Sequence, residues 1–264
     1  MKLLYKYLNG NVTVSIYDNG TKIQEWDDDQ NPNPKFPNSM DIKITNQCDL
    51  NCPYCHEKSV PNGKEGDIQK LLELLKDLPA GTELAFGGGN PLGYSELLTL
   101  LRACKEYKLI ANMTVNGKHV KENIIFLNNL INLKLIYGLG ISIDENFDFS
   151  LIDKIEHTSN IVFHVIAGVN SISILDKIKQ SKIHKVLILG YKEVGRGIDY
   201  HNENVELIKK EWTDNISKYL GSLQLSFDNI SIHQLKIRNH LTEDIWNRFY
   251  MGNEGQFSMY MDIV

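Results

Sequence analysis

Residues Met40 to Glu57 read MDIKITNQCDLNCPYCHE, and the interpretation of the whole chain turns on them. Three of the four cysteines sit here, Cys48, Cys52 and Cys55, with three residues between the first pair and two between the second. They follow directly on a β-like run, Asp41-Ile42-Lys43-Ile44-Thr45. A loop at the end of a strand can fold three thiolates toward one point. Three thiolates are one short of closing a cubane [4Fe–4S] cluster, which leaves one iron for another ligand. A zinc site is the first rival, with His56 as a fourth ligand. Adjacent residues such as Cys55 and His56 rarely converge on one tetrahedral ion, however. Unrelated buried thiols are the second rival.

The spacing, with the aromatic Tyr54 just before the third cysteine, resembles the radical S-adenosylmethionine (radical SAM) superfamily. The resemblance implies that the amino and carboxylate groups of SAM's methionine chelate the open iron. Electron transfer from the reduced cluster would then cleave SAM to a 5′-deoxyadenosyl radical. It further implies a partial (β/α)6, TIM-like barrel, and it places Tyr54 near the cofactor.

Bulk properties agree with such a protein. A chain of 264 residues can bury a full core as one large domain or two small ones. Hydrophobic residues make up 42% and charged ones 23%, ordinary values for a globular protein. No apolar run approaches the roughly 20 residues of a membrane span. The start, MKLLYKYLNG, lacks a signal peptide's longer apolar core. The expected location is cytoplasmic, where thiols stay reduced. A net charge of −5 gives no footprint for nucleic acid. Lys182 and Lys185 read as solvated surface lysines, and Cys104, at helical spacing beside Leu97, Leu100 and Leu101, as a small buried hydrophobe.

Residues 3–26 read as short strands, with Asn9-Gly10 and Asn19-Gly20 as hairpin turns. The stretch DDDQNPNPKFPN cannot hold regular structure and reads as a linker or a surface-crossing loop. Residues 1–30 are thus expected to form an N-terminal β-hairpin accessory element, and 40–264 the barrel with a C-terminal extension. Strands are expected at 41–45, 82–87, 109–115, 135–143, 160–168, 184–190 and 222–228. Helices are expected at 67–77, 94–107, 119–131, 149–156, 171–180, 203–219 and 229–238. This alternation predicts an α/β fold with a parallel sheet. Runs such as VFHVIAGV and KVLILG look apolar on both sides, predicting a sheet buried on both faces. The tail, QFSMYMDIV, reads as a last strand or an edge element.

In a parallel barrel the chemistry gathers where the strands end. After the second barrel strand comes Gly87-Gly88-Gly89-Asn90-Pro91, whose glycines allow close backbone approach to a ligand. Gly88-Gly89-Asn90-Pro91 is similar to the superfamily's GGEP motif, which binds the amino group of SAM. Asn90 stands for the usual Glu, keeping a carbonyl acceptor without the charge. The third strand ends in Thr114-Val115-Asn116-Gly117, like the family's TNG-type ending; Asn116 faces the cofactor or simply makes the turn. On the fourth, Ser142 and Asp144 share a face, and the resemblance makes them candidates for SAM's carboxylate or ribose. The fifth loosely resembles the family's adenine-contacting strand, although His164 within it reads as a hydrogen-bonded core residue. The sixth ends near Lys192 and Arg196, which suit an anionic ligand such as a carboxylate, or an ordinary exposed loop. Asp228, at the end of the seventh, reaches substrate if the barrel extends that far.

The expected function is therefore a radical SAM enzyme with one cluster and SAM, abstracting hydrogen from a substrate carbon. A small molecule or nucleotide is favoured over a peptide as substrate, because no cysteine follows Cys104 to hold further clusters. Glycyl-radical activation is an alternative, and a reductant such as a flavodoxin or ferredoxin is implied. The rivals of another class are an electron carrier and a zinc-binding interaction module. Neither needs the glycine motif.

Overall fold

The computed structural model describes residues 1–264 apart from Asp28, Met251, Asn253 and Glu254. Three strands open the chain, β1 (Leu3–Asn9), β2 (Val12–Tyr17) and β3 (Lys22–Glu25), paired antiparallel in that order. The barrel then begins with β4 (Ser39–Thr45), followed by α1 (Ile68–Leu75) and β5 (Glu83–Gly88). Next come α2 (Leu97–Glu106), β6 (Ile110–Asn116), α3 (Gly117–Asn132), β7 (Gly138–Ser142) and β8 (Ile161–Ala167). The chain continues through α4 (Ile174–Lys179), β9 (Lys185–Gly190), α5 (Gly197–Tyr200) and α6 (Glu203–Asn215). It ends with β10 (Gln224–Phe227), α7 (Asn229–Gln234), α8 (Glu243–Phe249) and β11 (Ser258–Asp262).

All eight barrel strands run parallel, in the order β10-β9-β8-β7-β6-β5-β4-β11. The sheet curls into an open half-barrel. Local chemistry starts its helices: Asp67, Asn116, Asn202 and Asp228 each accept backbone N–H bonds at the head of α1, α3, α6 and α7. Residues 149–154, expected as a helix, form a tighter 3₁₀ helix. The tail becomes an edge strand, with β11 beside β4.

One face of the sheet makes the core. Ile42, Phe86, Met113, Ile141, Phe163, Val165 and Ile188 are buried against helix residues such as Leu71, Leu100, Leu127 and Trp212. Cys104 joins them, fully buried, and burial pushes its thiol pKa up to about 12. The other face differs from the sequence expectation. Asp41, Ala85, Asn112, Thr114, His164 and Ser226 line a cavity of about 820 Å³ on the inner side of the curl. The strands therefore alternate buried with half-buried residues, as in β8 and β9. The reason is the curl: this face encloses a space rather than packing on a second layer, and runs of Val, Ile and Leu do not reveal that.

The N-terminal sheet floors this space. Val12, Val14 and Ile16 pack on Ile110 and Phe257, and Lys22 pairs with Glu83 at 2.5 Å, with Ile110 and Glu83 at the starting ends of barrel strands. Lys185, expected as a surface lysine, is half-buried and donates to the carbonyls of Asn19 and Ser159. The proline-rich segment is a crossing loop held by buried Asn9, whose Oδ1 accepts from Lys35 and Phe36 and whose Nδ2 donates to Phe36 O and Asn38 Oδ1. Gly10, at φ +64°, sits so close to it that a Cβ would lie 1.9 Å from the Asn33 oxygen.

Candidate active site

The cysteine loop leaves β4 and is tied down from four directions. Gln47 and Cys48 lie near the return strand of the loop, where Cys48 N–H donates to Val60 O at 2.9 Å. Asp49 Oδ1 sits 2.8 Å from His119 Nε2, a histidine only 4% exposed on α3, and this bond holds the Asp49 carboxyl below its ordinary range. Arg196 reaches in from the β9–α5 loop: its Nε donates to Cys52 O at 2.8 Å, its Nη1 to Ser59 O at 3.0 Å and its backbone N–H to Cys55 O at 2.9 Å. Under the loop, Lys43 Nζ bridges Glu57 at 2.9 Å and Asp262 at 3.0 Å, while Tyr260 donates its hydroxyl to Glu57 at 2.9 Å. Hydrogen bonds from His56, Lys43 and Tyr260 hold the pKa of the Glu57 carboxyl at about 2 against the opposing effect of burial.

The three thiols are free, half-buried and within electrostatic reach of one another. Burial raises Cys48 and Cys52, and the neighbouring cysteines add to the rise. Among the described residues the three sulfurs do not form a group with every ligand atom within 4.8 Å. A single zinc ion with bonds of about 2.3 Å would draw them to roughly 3.8 Å. A cubane places each ligand on its own iron, and three free, half-buried thiols on one loop suit that donor set.

The glycine turn packs directly on this loop. Gly89 N–H donates to Thr45 O and Asn90 N–H to Gln47 O, both at 2.7 Å. A Cβ on Gly88, at φ +107°, would lie 2.3 Å from Thr45 O, and one on Gly89 would lie 2.2 Å from Gln47 O. Only glycine permits that approach. A Cβ on Gly87 would meet nothing within 4 Å, so the turn has one face against the cysteine loop and one toward open space. Asn90 Oδ1 accepts from Leu92 N–H at 3.2 Å, capping the short helix that Pro91 begins.

Asn116, Ser142 and Asp144 line one pocket of about 270 Å³ with Lys118 and Phe147. Within it Asn116 Oδ1 caps α3 through Lys118 N–H, and Asp144 Oδ1 accepts from Asn146 N–H. Tyr54 stands at the same rim, edge-on to Tyr200 at 5.6 Å, its hydroxyl pKa raised by burial and then by Cys52 and Asp144. Lys192 is half-buried on the loop that carries Arg196. Asp228 lies outside this group, accepting from Gly190 and Ser231 N–H as the cap of α7. The Asp49–His119 and Glu57–Tyr260 contacts could not be read from the sequence, since the partners lie 70 and 203 residues apart. His164 is no hydrogen-bonded core residue: its ring lines the large cavity, and among the described residues its nitrogens have no partner.

The model of the radical SAM superfamily matches residues 42–196, from β4 to the Arg196 loop. The chain belongs to this superfamily. It is 26% identical over 197 residues to the 7,8-dihydro-6-hydroxymethylpterin dimethyltransferase of Methanocaldococcus jannaschii, covering 67% of this chain and 36% of that protein. Over 83 residues it is 25% identical to a probable GTP 3′,8-cyclase of Pyrococcus abyssi, covering 30% of this chain and 27% of the other. It thus spans about a third, or less, of these curated relatives. Among solved structures, Streptococcus suis SuiB bound to its precursor peptide SuiA superposes with a TM-score of 0.58 at 16% identity, over 87% of this chain and 58% of SuiB. SuiB bound to S-adenosylmethionine gives the same score at 18% identity, over 87% of this chain and 59% of SuiB. The half-barrel is therefore that of radical SAM proteins. No helix among the described residues is long and apolar enough to cross a membrane.

Proposed function

We propose that the chain holds one [4Fe–4S] cluster on Cys48, Cys52 and Cys55 and binds SAM at the iron that the cysteines leave open. The observation that carries this reading is the contact between the glycine turn and the cysteine loop, in which Gly88 and Gly89 fit only as glycines. When bound, the pair would supply a 5′-deoxyadenosyl radical able to take hydrogen from an unactivated carbon. The protein's own residues would bind and orient. Carbonyls of Gly88, Gly89 and Asn90 would receive the ammonium of SAM, with Pro91 stiffening the turn. Ser142, Asn116 and Asp144 would hold its carboxylate or ribose from the rim pocket, beside Tyr54. Lys192 would offer a cation there, whereas Arg196 would act mainly by clamping the loop. Residues 1–30 would serve as an accessory floor to the barrel.

A small molecule or nucleotide is favoured as substrate over a peptide. The names of the pterin and GTP enzymes point to compact ring compounds, and the barrel interior offers a space of that order. Anaerobic reconstitution with iron and sulfide, followed by dithionite and SAM, tests the radical chemistry. The expected result is 5′-deoxyadenosine that depends on each of the three cysteines. Iron-replete protein that forms none with any reductant would reject it and favour an electron carrier.

A further inference from the structure

The inner face of the sheet carries polar groups that the radical machinery leaves unused. β7 contributes two glycines to this face, Gly138 and Gly140, and side chains from both neighbouring strands lean over them. A Cβ on Gly140 would lie 2.6 Å from His164 Nε2 of β8 and 2.9 Å from Thr114 Oγ1 of β6. A Cβ on Gly138 would lie 2.7 Å from Asn112 Oδ1, also on β6. Three hydrogen-bonding side chains from two strands are thus gathered over one glycine strand. Among the described residues none of the three has a hydrogen-bond partner, although each is half-buried. Buried polar groups normally find partners, so a cluster of uncommitted ones inside a cavity marks a place for a ligand's polar edge.

Position and charge narrow the ligand. Thr114 and Gly140 each lie two residues before the rim residues Asn116 and Ser142 and share their face, which places the cluster about 7 Å deeper in the barrel. The charged residues along the cavity are Lys22, Asp41, Glu83 and Lys185, two of each sign. Lys22 and Glu83 neutralise each other, and Lys185 is spent on two carbonyls. Burial pushes the pKa of the His164 imidazole down to about 4, leaving it neutral, with one nitrogen to donate and one to accept. The floor is the N-terminal sheet, with Ile16 and Tyr17 facing the space.

We infer that Asn112, Thr114 and His164 form a substrate-reading cluster for an uncharged heterocycle whose edge presents donor and acceptor groups side by side, as the lactam edge of a guanine or pterin ring does. Such a ring would stand in the barrel below the rim, held by its edge. Gly138 and Gly140 are specificity-determining because any side chain there would displace the reading groups. The inference rests on the radical reading for any reaction after binding, while its own content is recognition.

The test is equilibrium dialysis of anaerobic, reconstituted protein against guanosine and 6-hydroxymethylpterin, with GTP and a mixed set of unstructured peptides for comparison. Saturable binding of at least one ring is expected, weakened about fivefold to tenfold by Thr114→Val and by His164→Gln, the loss of one neutral hydrogen bond each. Gly140→Ala should weaken it further, and circular dichroism establishes that each variant is folded. Thr114→Val is nearly isosteric, so it remains informative if another variant does not fold. No saturable ring binding to wild type, equal binding by wild type and Thr114→Val, or capture of peptides alone would overturn the inference. 5′-Deoxyadenosine formation in the same wild-type preparation separates the two claims. Its absence would count against the radical reading, and ring binding is scored independently of it.

Discussion

At the scale of single residues, the four cysteines divide sharply. Cys48, Cys52 and Cys55 are half-buried on one loop, whereas Cys104 is sealed in the core with its thiol protonated. Replacing any one of the first three by Ala should abolish iron retention after reconstitution. Cys104→Ala should keep the iron and cost about 1–2 kcal/mol in packing, read by denaturant unfolding. Iron loss in Cys104→Ala would contradict the three-cysteine assignment. His164 gives a pH signature. Its folded pKa, about 4, lies below the ordinary imidazole value of 6.5, so the unfolded chain binds more protons between the two. Stability should be flat above pH 6.5 from this group and fall as pH drops from 6.5 toward 4, by on the order of 3 kcal/mol. His164→Gln should remove that part of the slope. The cysteine spacing and the glycine turn are legible in the sequence because their chemistry is local, a few residues long. The hydrogen-bonded core role expected for His164 fails because an apolar run does not tell which face of a strand meets a cavity.

At the scale of elements, loops distant in sequence hold one another. Arg196 fastens the cysteine loop through two side-chain bonds spanning 144 and 137 residues. Bonds from a charged donor contribute roughly 1.5–3 kcal/mol each, and a lysine cannot reproduce the fork. Arg196→Lys should therefore lower the iron held per chain, measured after reconstitution, while leaving the barrel's far-ultraviolet dichroism intact. Unchanged iron content would show that the loop stands without the clamp. Asn9 plays the same part beneath the barrel, with four hydrogen bonds to the crossing loop and no exposed surface. Asn9→Ala should destabilise by about 2–4 kcal/mol in denaturant unfolding. From the sequence Asn9 reads only as part of a hairpin turn. Its second role is hidden because the loop it satisfies has no periodicity, and hydrogen bonds over 26 or 27 residues leave no local trace.

At the scale of the molecule, the strand–helix alternation makes the parallel sheet legible, and seven of its eight strands lie where the apolar runs fall. What the runs cannot convey is curvature. A flat sheet with the same pattern would bury both faces; the curled one buries its outer face and leaves polar residues of the inner face around a cavity of about 820 Å³. That division places the strand ends, with the cysteine loop, glycine turn and rim pocket, together above a floored chamber. The central claim is that three cysteines hold a cluster whose remaining iron takes SAM. Electron paramagnetic resonance of the dithionite-reduced, reconstituted protein, recorded with and without SAM, tests it most directly. The expected result is a reduced [4Fe–4S] signal that shifts when SAM is added and disappears in Cys52→Ala. A cluster signal indifferent to SAM, or a colourless protein that holds zinc, would contradict it.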